Sequence, residues 1–444
     1  MPSFIDLGVP ARLTEVLANL DIHSPTPIQL ATLPDGLAGR DVLGRGRTGS
    51  GKTLAFVLPM IAQLSDGRPA RAGTPRALIL APTRELVAQI DAVLKPLAAA
   101  VGLTTRTVFG GVGQNPQVGA IRRGVDILAA CPGRLEDLIR QGHCSLSAVE
   151  VTVLDEADHM ADLGFLPAVR RLLDRTPSDS QRMLFSATLD RAVDTLVRRY
   201  LSDPAVHEAD SERSPVSGMA HHLLHVDHDA RLPVLVDLAS APGRTLVFTR
   251  TKRGAKALAG QLNHRGVPTV ELHGNLSQSA RSRNLDDFRA GRATALVATD
   301  IAARGIHVDD VALVIHADPP AEHKAYLHRS GRTARAGNAG TVVTLMTTVQ
   351  TRAVNQLLRA AGIRATTTRV GTIDHPVLAK LAPGTRTRPG TADRRVPSVA
   401  DRPSRDAATS GRTRRASRSG RRSGRRPTKT RNRPTRAPAS FSSR

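Results

Sequence analysis

One short stretch of this sequence has the residue types and spacing of a phosphate-binding loop. The segment 46–53, GRTGSGKT, fits the pattern G-x-x-x-x-G-K-[ST], with an apolar run ending just before it and a helical run starting just after it. Glycines in such a loop let backbone N–H groups point at an anion beside the N-terminus of the following helix. The residues predicted to contact ATP here are Arg47, Thr48, Gly49, Ser50, Gly51, Lys52 and Thr53. Lys52 is expected to reach the β- and γ-phosphates, and the Thr53 hydroxyl to hold Mg²⁺.

A second stretch places two carboxylates at the end of an apolar run. Residues 151–154 read as a buried strand, and Asp155 and Glu156 follow it directly. In ATPases that have a phosphate-binding loop, acids at such a strand end hold the metal and act on water. Asp155 is therefore expected to hold Mg²⁺, and Glu156 to orient or deprotonate the attacking water. Acids at strand ends are common, so the prediction of ATP hydrolysis rests on both stretches together.

The elements that must position these residues alternate between short apolar runs and helical segments. The apolar runs lie at 76–80, 105–109, 125–130, 149–154 and 181–185, and again at 222–226, 244–249, 268–272, 293–298, 311–316 and 341–346. Continuous apolar strands separated by helices indicate a parallel sheet covered on both faces. We therefore predict an α/β chain of two tandem parallel-sheet domains of the P-loop, RecA-like type. The second half has no phosphate-binding loop, so it must serve the nucleotide from outside.

Changes in composition predict the domain boundaries. An ATP-binding domain at 1–206 and a second domain at 220–370 are joined by a polar linker at 207–219, which contains Pro215 and Gly218. Residues 371–444 are an extension that turns rich in Arg, Ser, Thr, Pro and Gly from about residue 382, a composition typical of disorder. Residues 384–444 carry +16 of the net charge of +24. This segment predicts a disordered, RNA-binding tail, with a merely solubilising tail as the alternative.

Cysteine usage and hydropathy indicate the compartment. Two cysteines, Cys131 and Cys144, are too few for a disulfide framework and have no metal-site spacing. The first residues lack the basic-then-apolar pattern of a signal peptide. No apolar run approaches the roughly 18 residues that span a membrane. We expect a soluble, cytoplasmic protein whose positive charge favours polyanionic partners.

With these stretches in place, the chain resembles the DEAD-box ATP-dependent RNA helicases, of the bacterial type within superfamily 2, from Phe4 to about Gly337. The motifs that carry the resemblance are Pro25–Gln29, Gly46–Thr53, Ala81–Leu86, Gly110–Gly111, Pro132–Arg134, Asp155–Asp158, Ser186–Thr188, Val247–Arg250, Ala298–Gly305 and His328–Arg335. The resemblance implies an RNA-stimulated ATPase that unwinds short RNA duplexes or remodels ribonucleoprotein. Two domains would close around Mg²⁺-ATP and RNA.

The same resemblance assigns roles to further residues. Gln29 would read the adenine edge, and Phe4 would stack on the base. Residues implied to bind RNA are Pro82, Thr83, Arg84, Gly111, Arg134, Arg250 and Thr299. Residues implied to couple ATP state to strand separation are Asp158, Ser186, Thr188, Asp300 and His328. Because such groups contact the backbone of RNA, low sequence specificity is expected.

The last motif implies arginine fingers at Arg332 and Arg335, which complete a catalytic set with Lys52, Asp155 and Glu156. The two arginines are three residues apart, so both can face one cleft if the segment is helical. A finger supplied from the other domain is worth about 10³–10⁵ in rate, and it makes hydrolysis depend on closure. The alternative for paired arginines is a solvated basic surface.

The chain departs from the family pattern at several positions. Asp21 and Ile22 stand where Gly and an aromatic residue are usual, and Cys131 stands where Thr is usual. His307 replaces the usual Asp, and Ala334 replaces the usual Gly.

Two other functions stay open: an ATP-dependent clamp that anneals or holds RNA, and a DNA helicase. Ribosomal subunits or RNA-decay machinery are possible partners. The histidines near residues 221–228 lack spacing that would support a metal site.

Overall fold

The computed structural model describes residues 2–46, 49–209, 219–303, 311–334 and 340–386. Several predicted features lie outside these ranges, namely Arg47, Thr48, most of the 207–219 linker, His307, Arg335 and the tail beyond Arg386. All the described residues belong to one compact unit, Met1–Asp393. Within them, no helix combines the length and apolarity needed to cross a membrane.

The first half of the chain forms a seven-stranded parallel sheet in the order β3-β4-β2-β5-β6-β1-β7. Its strands are β1 Val42–Arg45, β2 Ala77–Leu80, β3 Thr105–Val108, β4 Ile127–Ala130, β5 Val151–Asp155, β6 Gln181–Ser186 and β7 Ala205–Glu208. Its helices are α1 Ala11–Asn19, α2 Pro27–Leu37, α3 Lys52–Ser65, α4 Arg84–Ala100, α5 Asn115–Arg123, α6 Pro132–Arg140, α7 Ala157–Asp162, α8 Leu166–Leu173 and α9 Arg191–Tyr200.

Helices cover both faces of this sheet. Along β2, Ala77 and Ile79 join the core cluster made with α1–α4, whereas Leu78 and Leu80 join the cluster made with α5–α9. Successive side chains of a strand point to opposite faces, so a strand buried on both faces must be apolar at every position. The continuous apolar runs of the sequence follow from this double burial.

The second half repeats the architecture. Its parallel sheet has the order β10-β11-β9-β12-β13-β8-β14. The strands are β8 Met219–Val226, β9 Arg244–Phe248, β10 Thr269–Leu272, β11 Ala295–Ala298, β12 Val311–His316, β13 Gly340–Met346 and β14 Thr366–Val370. The helices are α10 His228–Ala239, α11 Lys252–His264, α12 Gln278–Arg289, α13 Asp300–Ala303, α14 His323–Ser330, α15 Thr351–Ala360 and α16 Pro376–Leu381, with a 3₁₀ turn at Thr348–Gln350. Two core clusters again lie on opposite faces.

The predicted fold class, two tandem parallel-sheet domains of the RecA-like type, is confirmed, and the elements that the sequence did not predict lie at the sheet edges. β7 and β14 are edge strands with polar or exposed positions, so neither shows a continuous apolar run. Beyond β14, α16 packs on the second sheet and the Arg386 guanidinium pairs with the Asp237 carboxylate at 2.9 Å. β7 occupies the first two positions of the predicted linker, and the domain boundaries themselves stay predictions.

Candidate active site and nucleic-acid interface

The phosphate-binding segment lies between β1 and α3, as its pattern predicts. Gly49 and Gly51 have φ angles of 88° and 96°, which place both in the left-handed region that favours glycine. Ser50 lies between them, and α3 begins at Lys52. The Lys52 side chain is buried, and its ammonium donates to the carbonyl oxygen of Gly46. Gly49, Ser50 and Gly51 therefore lie directly before the start of a helix, the position at which backbone N–H groups bind phosphate.

The segment around Gln29 is attached to this loop. Gln29 Nε2 donates to the Gly51 carbonyl at 2.8 Å, and its Oε1 accepts from the Thr26 amide at 2.9 Å as part of the capping box of α2. A Cβ at Gly51 would lie 2.5 Å from the Thr26 hydroxyl, so glycine is also required by this close approach. Phe4 is buried in the core cluster of the first sheet.

Two buried carboxylates stand beside the loop, and their pKa values move in opposite directions. Burial raises the pKa of Asp155 to about 7, although the Lys52 charge opposes this. Burial also acts to raise the pKa of Glu156, but a hydrogen bond from His159 and the charges of His159, Arg332 and Lys52 outweigh it and lower the pKa to about 2. Glu156 is thus an ionised carboxylate at neutral pH.

The predicted coupling residues of the first half form one hydrogen-bonded network. The Asp158 carboxylate accepts from the Thr188 amide at 3.0 Å and from the Thr188 hydroxyl at 2.9 Å. The Ser186 hydroxyl accepts from the Asp158 amide at 3.3 Å and donates to the Thr188 carbonyl. The Ser186 carbonyl in turn accepts from the Gly46 amide at 3.1 Å. The network therefore connects the end of β6 to the carboxylates and to the phosphate-binding loop.

Arg332 of the second half lies close to this cluster. Its side chain is buried, with 5% exposure, and its charge is among those that lower the pKa of Glu156. Its Nε donates to the His328 carbonyl at 3.3 Å. The preceding α14 is fixed by buried Arg329, whose guanidinium pairs with the predicted coupling residue Asp300 at 2.8 Å. The charge of an arginine of the second sheet therefore acts on a carboxylate of the first.

Further contacts join the two halves, and most of their residues have no predicted role. Arg281 of α12 pairs with Glu85 of α4 at 2.7 Å, and both side chains are at most 10% exposed. Gln278 donates to Glu85 at 3.1 Å and accepts from Arg84 at 3.2 Å. Burial acts to raise the pKa of Glu85, but Arg281 and Gln278 outweigh it and lower the pKa.

A second cross-sheet ion pair is less buried. Lys324 at the start of α14 pairs with Asp190, the N-cap of α9, at 2.8 Å, with side chains 35% and 26% exposed. This pair lowers the pKa of Asp190 against the effect of burial and raises the pKa of Lys324. Glu85 belongs to a motif of the sequence analysis, but nothing local in the sequence distinguishes Arg281 or Lys324 from ordinary surface cations.

The candidate RNA-binding residues lie on loops after the strands. Pro82 is buried behind β2, and Thr83 caps α4 by accepting from the Leu86 amide at 3.2 Å. Gly111 has a φ of 78°, and a Cβ there would collide with the Arg84 guanidinium. Next to it, a surface cavity of about 340 Å³ is lined by Gly110, Gly133, Arg134, Glu136, Asp137 and Arg140.

Two candidate RNA-binding residues belong to the second sheet. Arg250 follows β9, where its amide donates to Asp318 at 2.9 Å and its guanidinium to the Pro319 carbonyl. Thr299 follows β11, and its amide donates to the Leu272 carbonyl. Both therefore sit at the carboxyl edge of their sheet, the edge at which open α/β sheets bind ligands.

The departures from the family pattern have visible structural consequences. Asp21 and Ala334 have φ angles of 61° and 55°, so both positions where Gly is usual adopt the left-handed conformation that Gly tolerates best. Cys131, where Thr is usual, is the N-cap of α6 and makes no side-chain cap hydrogen bond. Among the described residues, no group of three or more His, Cys, Asp or Glu side chains is arranged to hold a metal.

Comparisons with known proteins agree with this geometry. A family model described as DEAD/DEAH box helicase matches residues 26–196, and one described as helicase conserved C-terminal domain matches residues 228–337. The DEAD-box ATP-dependent RNA helicase 3A, chloroplastic, of Zea mays is 43% identical over 367 residues, which is 81% of this chain and 49% of that protein. The DEAD-box ATP-dependent RNA helicase 30 of Arabidopsis thaliana is 37% identical, over 81% of this chain and 62% of that protein.

A solved structure extends the agreement to the whole two-sheet architecture. Dbp5 of S. cerevisiae, bound to RNA and ADP BeF3, has a TM-score of 0.75 and 29% identity, covering 86% of this chain and 99% of that chain. The chain spans about half to three fifths of the length of the two plant relatives. Because these relatives come from plants and yeast, the bacterial type stays a prediction. With matching models on each of its two sheets, the chain belongs to the DEAD-box helicase family.

Proposed function

We propose that this protein is an RNA-stimulated ATPase that locally unwinds short RNA duplexes or remodels ribonucleoprotein. The observation that carries the proposal is the joining of the two sheets by the buried Arg281–Glu85 ion pair at 2.7 Å, with buried Arg332 of the second sheet acting by its charge on Glu156 at the end of β5. An arginine that reaches the hydrolytic carboxylate from another domain makes catalysis depend on closure of the two domains. A ligand that grips both domains, such as RNA, can then control hydrolysis.

In this proposal each catalytic residue acts on charge or on water. Lys52 neutralises the β- and γ-phosphates, and Arg332 stabilises the charge that develops on the transferred γ-phosphoryl group. Glu156 accepts a hydrogen bond from the attacking water and orients it. Its low pKa makes it a weak base, which favours orientation over proton abstraction. Arg335 keeps its predicted role as a second finger.

The nucleotide would lie along the loop from Arg47 to Thr53, with the adenine near Gln29 and Phe4. The donors expected for Mg²⁺, the Asp155 carboxylate and the Thr53 hydroxyl, are hard oxygen ligands of the kind Mg²⁺ takes alongside substrate phosphates. Burial raises the pKa of Asp155 in the protein alone, and a divalent cation would stabilise the ionised carboxylate at this buried position, so the residues fit the ion. When bound, Mg²⁺ would offset the negative charge of the phosphates.

We assign RNA to the loops that carry Pro82, Thr83, Arg84, Gly111, Arg134, Arg250 and Thr299. The Dbp5 structure has RNA and ADP BeF3 bound, which supports RNA as the ligand. The hydrogen bonds between Asp158, Ser186 and Thr188 would transmit the state of the phosphate site, and Asp300 and His328 would do so in the second sheet. Ribosomal subunits or RNA-decay machinery remain predicted partners. Both cysteines are free thiols, which favours the predicted cytoplasmic location.

Steady-state ATPase at saturating Mg²⁺-ATP tests the proposal, with single-stranded RNA, with DNA of the same sequence, and without nucleic acid. We expect strong stimulation by RNA alone. Glu156→Gln keeps the shape of the side chain but removes its charge, so turnover should fall at least about 10³-fold, since hydrolysis depends on this group. Binding of ATP and RNA should persist.

Glu15→Gln is the matched control, because Glu15 is exposed on α1 and the same chemical change there should leave turnover unaltered. Equal stimulation by RNA and DNA would favour a DNA helicase. Annealing of RNA strands without ATP, together with no RNA stimulation, would favour the clamp.

A further inference from the structure

His159 is a buried titratable side chain that the proposed mechanism does not use. It is 4% exposed, and its Nδ1 lies 3.0 Å from Oε2 of Glu156, which is 9% exposed. The residue follows the four-residue acidic motif directly, and no motif of the sequence analysis includes it. The buried imidazole therefore contacts the carboxylate to which the proposed function assigns the attacking water.

The contact results from the way the chain leaves β5. Glu156 has φ 52° and ψ 52°, an uncommon conformation for a non-glycine residue, and it is the N-cap of α7. Three residues later, His159 lies in the first turn of that helix, on the side from which its ring reaches back to the cap. The neighbouring acids are engaged elsewhere, because Asp155 accepts from the Glu156 amide and Asp158 from the His159 amide, each at 3.0 Å.

We propose that His159 is a positioning residue for Glu156: its Nδ1–H donates to Oε2 and holds the carboxylate so that the other oxygen faces the attacking water. This inference rests on the proposed function and deepens it. The proposal assigns the donor role to Nδ1–H, because the 3.0 Å separation is that of a hydrogen bond and a carboxylate oxygen serves as its acceptor. Nδ1 donates in this way whether the ring is neutral or charged, and Nε2 is buried without a hydrogen-bond partner among the described residues.

A fixed carboxylate matters most in the transition state. A base oriented by a third group is the recurrent arrangement around an activated nucleophile. Without the hydrogen bond from Nδ1, the Glu156 side chain could rotate between conformers, and only some of them would direct an oxygen at the water. ATP binding uses the loop and Lys52, so loss of the contact should lower kcat and leave KM for ATP nearly unchanged.

Three substitutions separate positioning from packing. His159→Leu removes the donor, and kcat with saturating RNA should fall between about 10-fold and 100-fold, the size of one net hydrogen bond to a charged group. His159→Asn places an amide nitrogen where Nδ1 lies and should recover kcat to within about threefold of wild type. His159→Gln places its amide where Nε2 lies and should not recover it. KM for ATP should stay within about twofold for all three.

The outcomes distinguish this inference from the proposed function. Wild-type turnover without RNA stimulation, or normal turnover in Glu156→Gln, overturns the proposed function and the inference with it. Wild-type kcat in His159→Leu, or equal losses in the Asn and Gln variants, overturns the inference alone, since both results mean that the ring only fills space. If His159→Leu does not fold, the Asn and Gln pair decides the question. In a Glu156→Gln background, His159→Leu should cause no further loss.

Discussion

The two sheets of this protein have the same strand order and different chemistry. Each strand of the first sheet has a counterpart seven strands later in the second, in the same position and direction. Yet β1 leads into the phosphate-binding loop, whereas its counterpart β8 leads directly to α10; β5 ends in Asp155, whereas β12 ends in His316. The comparison shows that topology supplies equivalent positions at the carboxyl edge, and that the residues following each strand decide what happens there.

The contacts between the sheets have a consistent sign. In the two cross-sheet ion pairs seen among the described residues, Glu85 with Arg281 and Asp190 with Lys324, the acid belongs to the first sheet and the cation to the second. The charge of Arg332, from the second sheet, acts in the same sense on Glu156 of the first. At these contacts the first sheet therefore presents acids, and the second supplies the cations that pair with them. Such a division makes the closed arrangement electrostatically favourable and sensitive to salt.

The largest expected effect comes from removing the arginine that the second sheet contributes to the active site. Arg332→Ala should lower kcat about 10³-fold or more, because an arginine finger is worth about 10³–10⁵ in rate. KM for ATP should change far less, because the nucleotide residues belong to the first sheet. Steady-state ATPase with saturating RNA measures both parameters.

Arg359→Ala is the control for that experiment, since Arg359 is an exposed arginine of α15 in the same half of the chain. Its kcat should equal that of wild type. If Arg332→Ala retained more than a tenth of the wild-type kcat, the active site would be complete within the first sheet.

The next effect concerns closure, and it compares the two cross-sheet ion pairs. Arg281→Ala leaves Glu85 buried without its cation, a change that typically costs about 3–5 kcal/mol, so the RNA concentration for half-maximal stimulation should rise by at least about 100-fold. Lys324→Ala removes a half-exposed pair worth at most about 1 kcal/mol, or about fivefold. Titration of ATPase activity with RNA measures both shifts.

A double-mutant cycle sharpens the result. Glu85→Ala combined with Arg281→Ala removes both charges and should be less damaging than Arg281→Ala alone, because no unpaired charge remains buried. Equal shifts for Arg281→Ala and Lys324→Ala would show that burial of the pair does not control closure.

Whether the sequence predicts a feature depends on how far apart in the chain the interacting residues lie. The strands followed from continuous apolar runs, and the loop and acids from local motifs, since each is encoded within a few residues. The edge strands β7 and β14 were missed because one exposed side removes the apolar signal. Arg281 and Lys324 were missed because their partners lie far away in the chain, and only the fold brings them together.

The smallest expected effect concerns the stability contributed by helix caps at equivalent positions of the two sheets. Thr83 after β2 and Thr251 after β9 both cap the next helix, accepting from the Leu86 and Gly254 amides at 3.2 and 3.0 Å. Thr→Ala at either position should cost about 1 kcal/mol of unfolding free energy, measured by urea denaturation without ligands.

Cys131→Thr should increase the unfolding free energy by a similar amount, about 1 kcal/mol, because α6 has no side-chain cap. Cys131→Val has the same shape without the hydroxyl and should gain nothing; a Val variant as stable as the Thr variant would attribute the gain to packing instead.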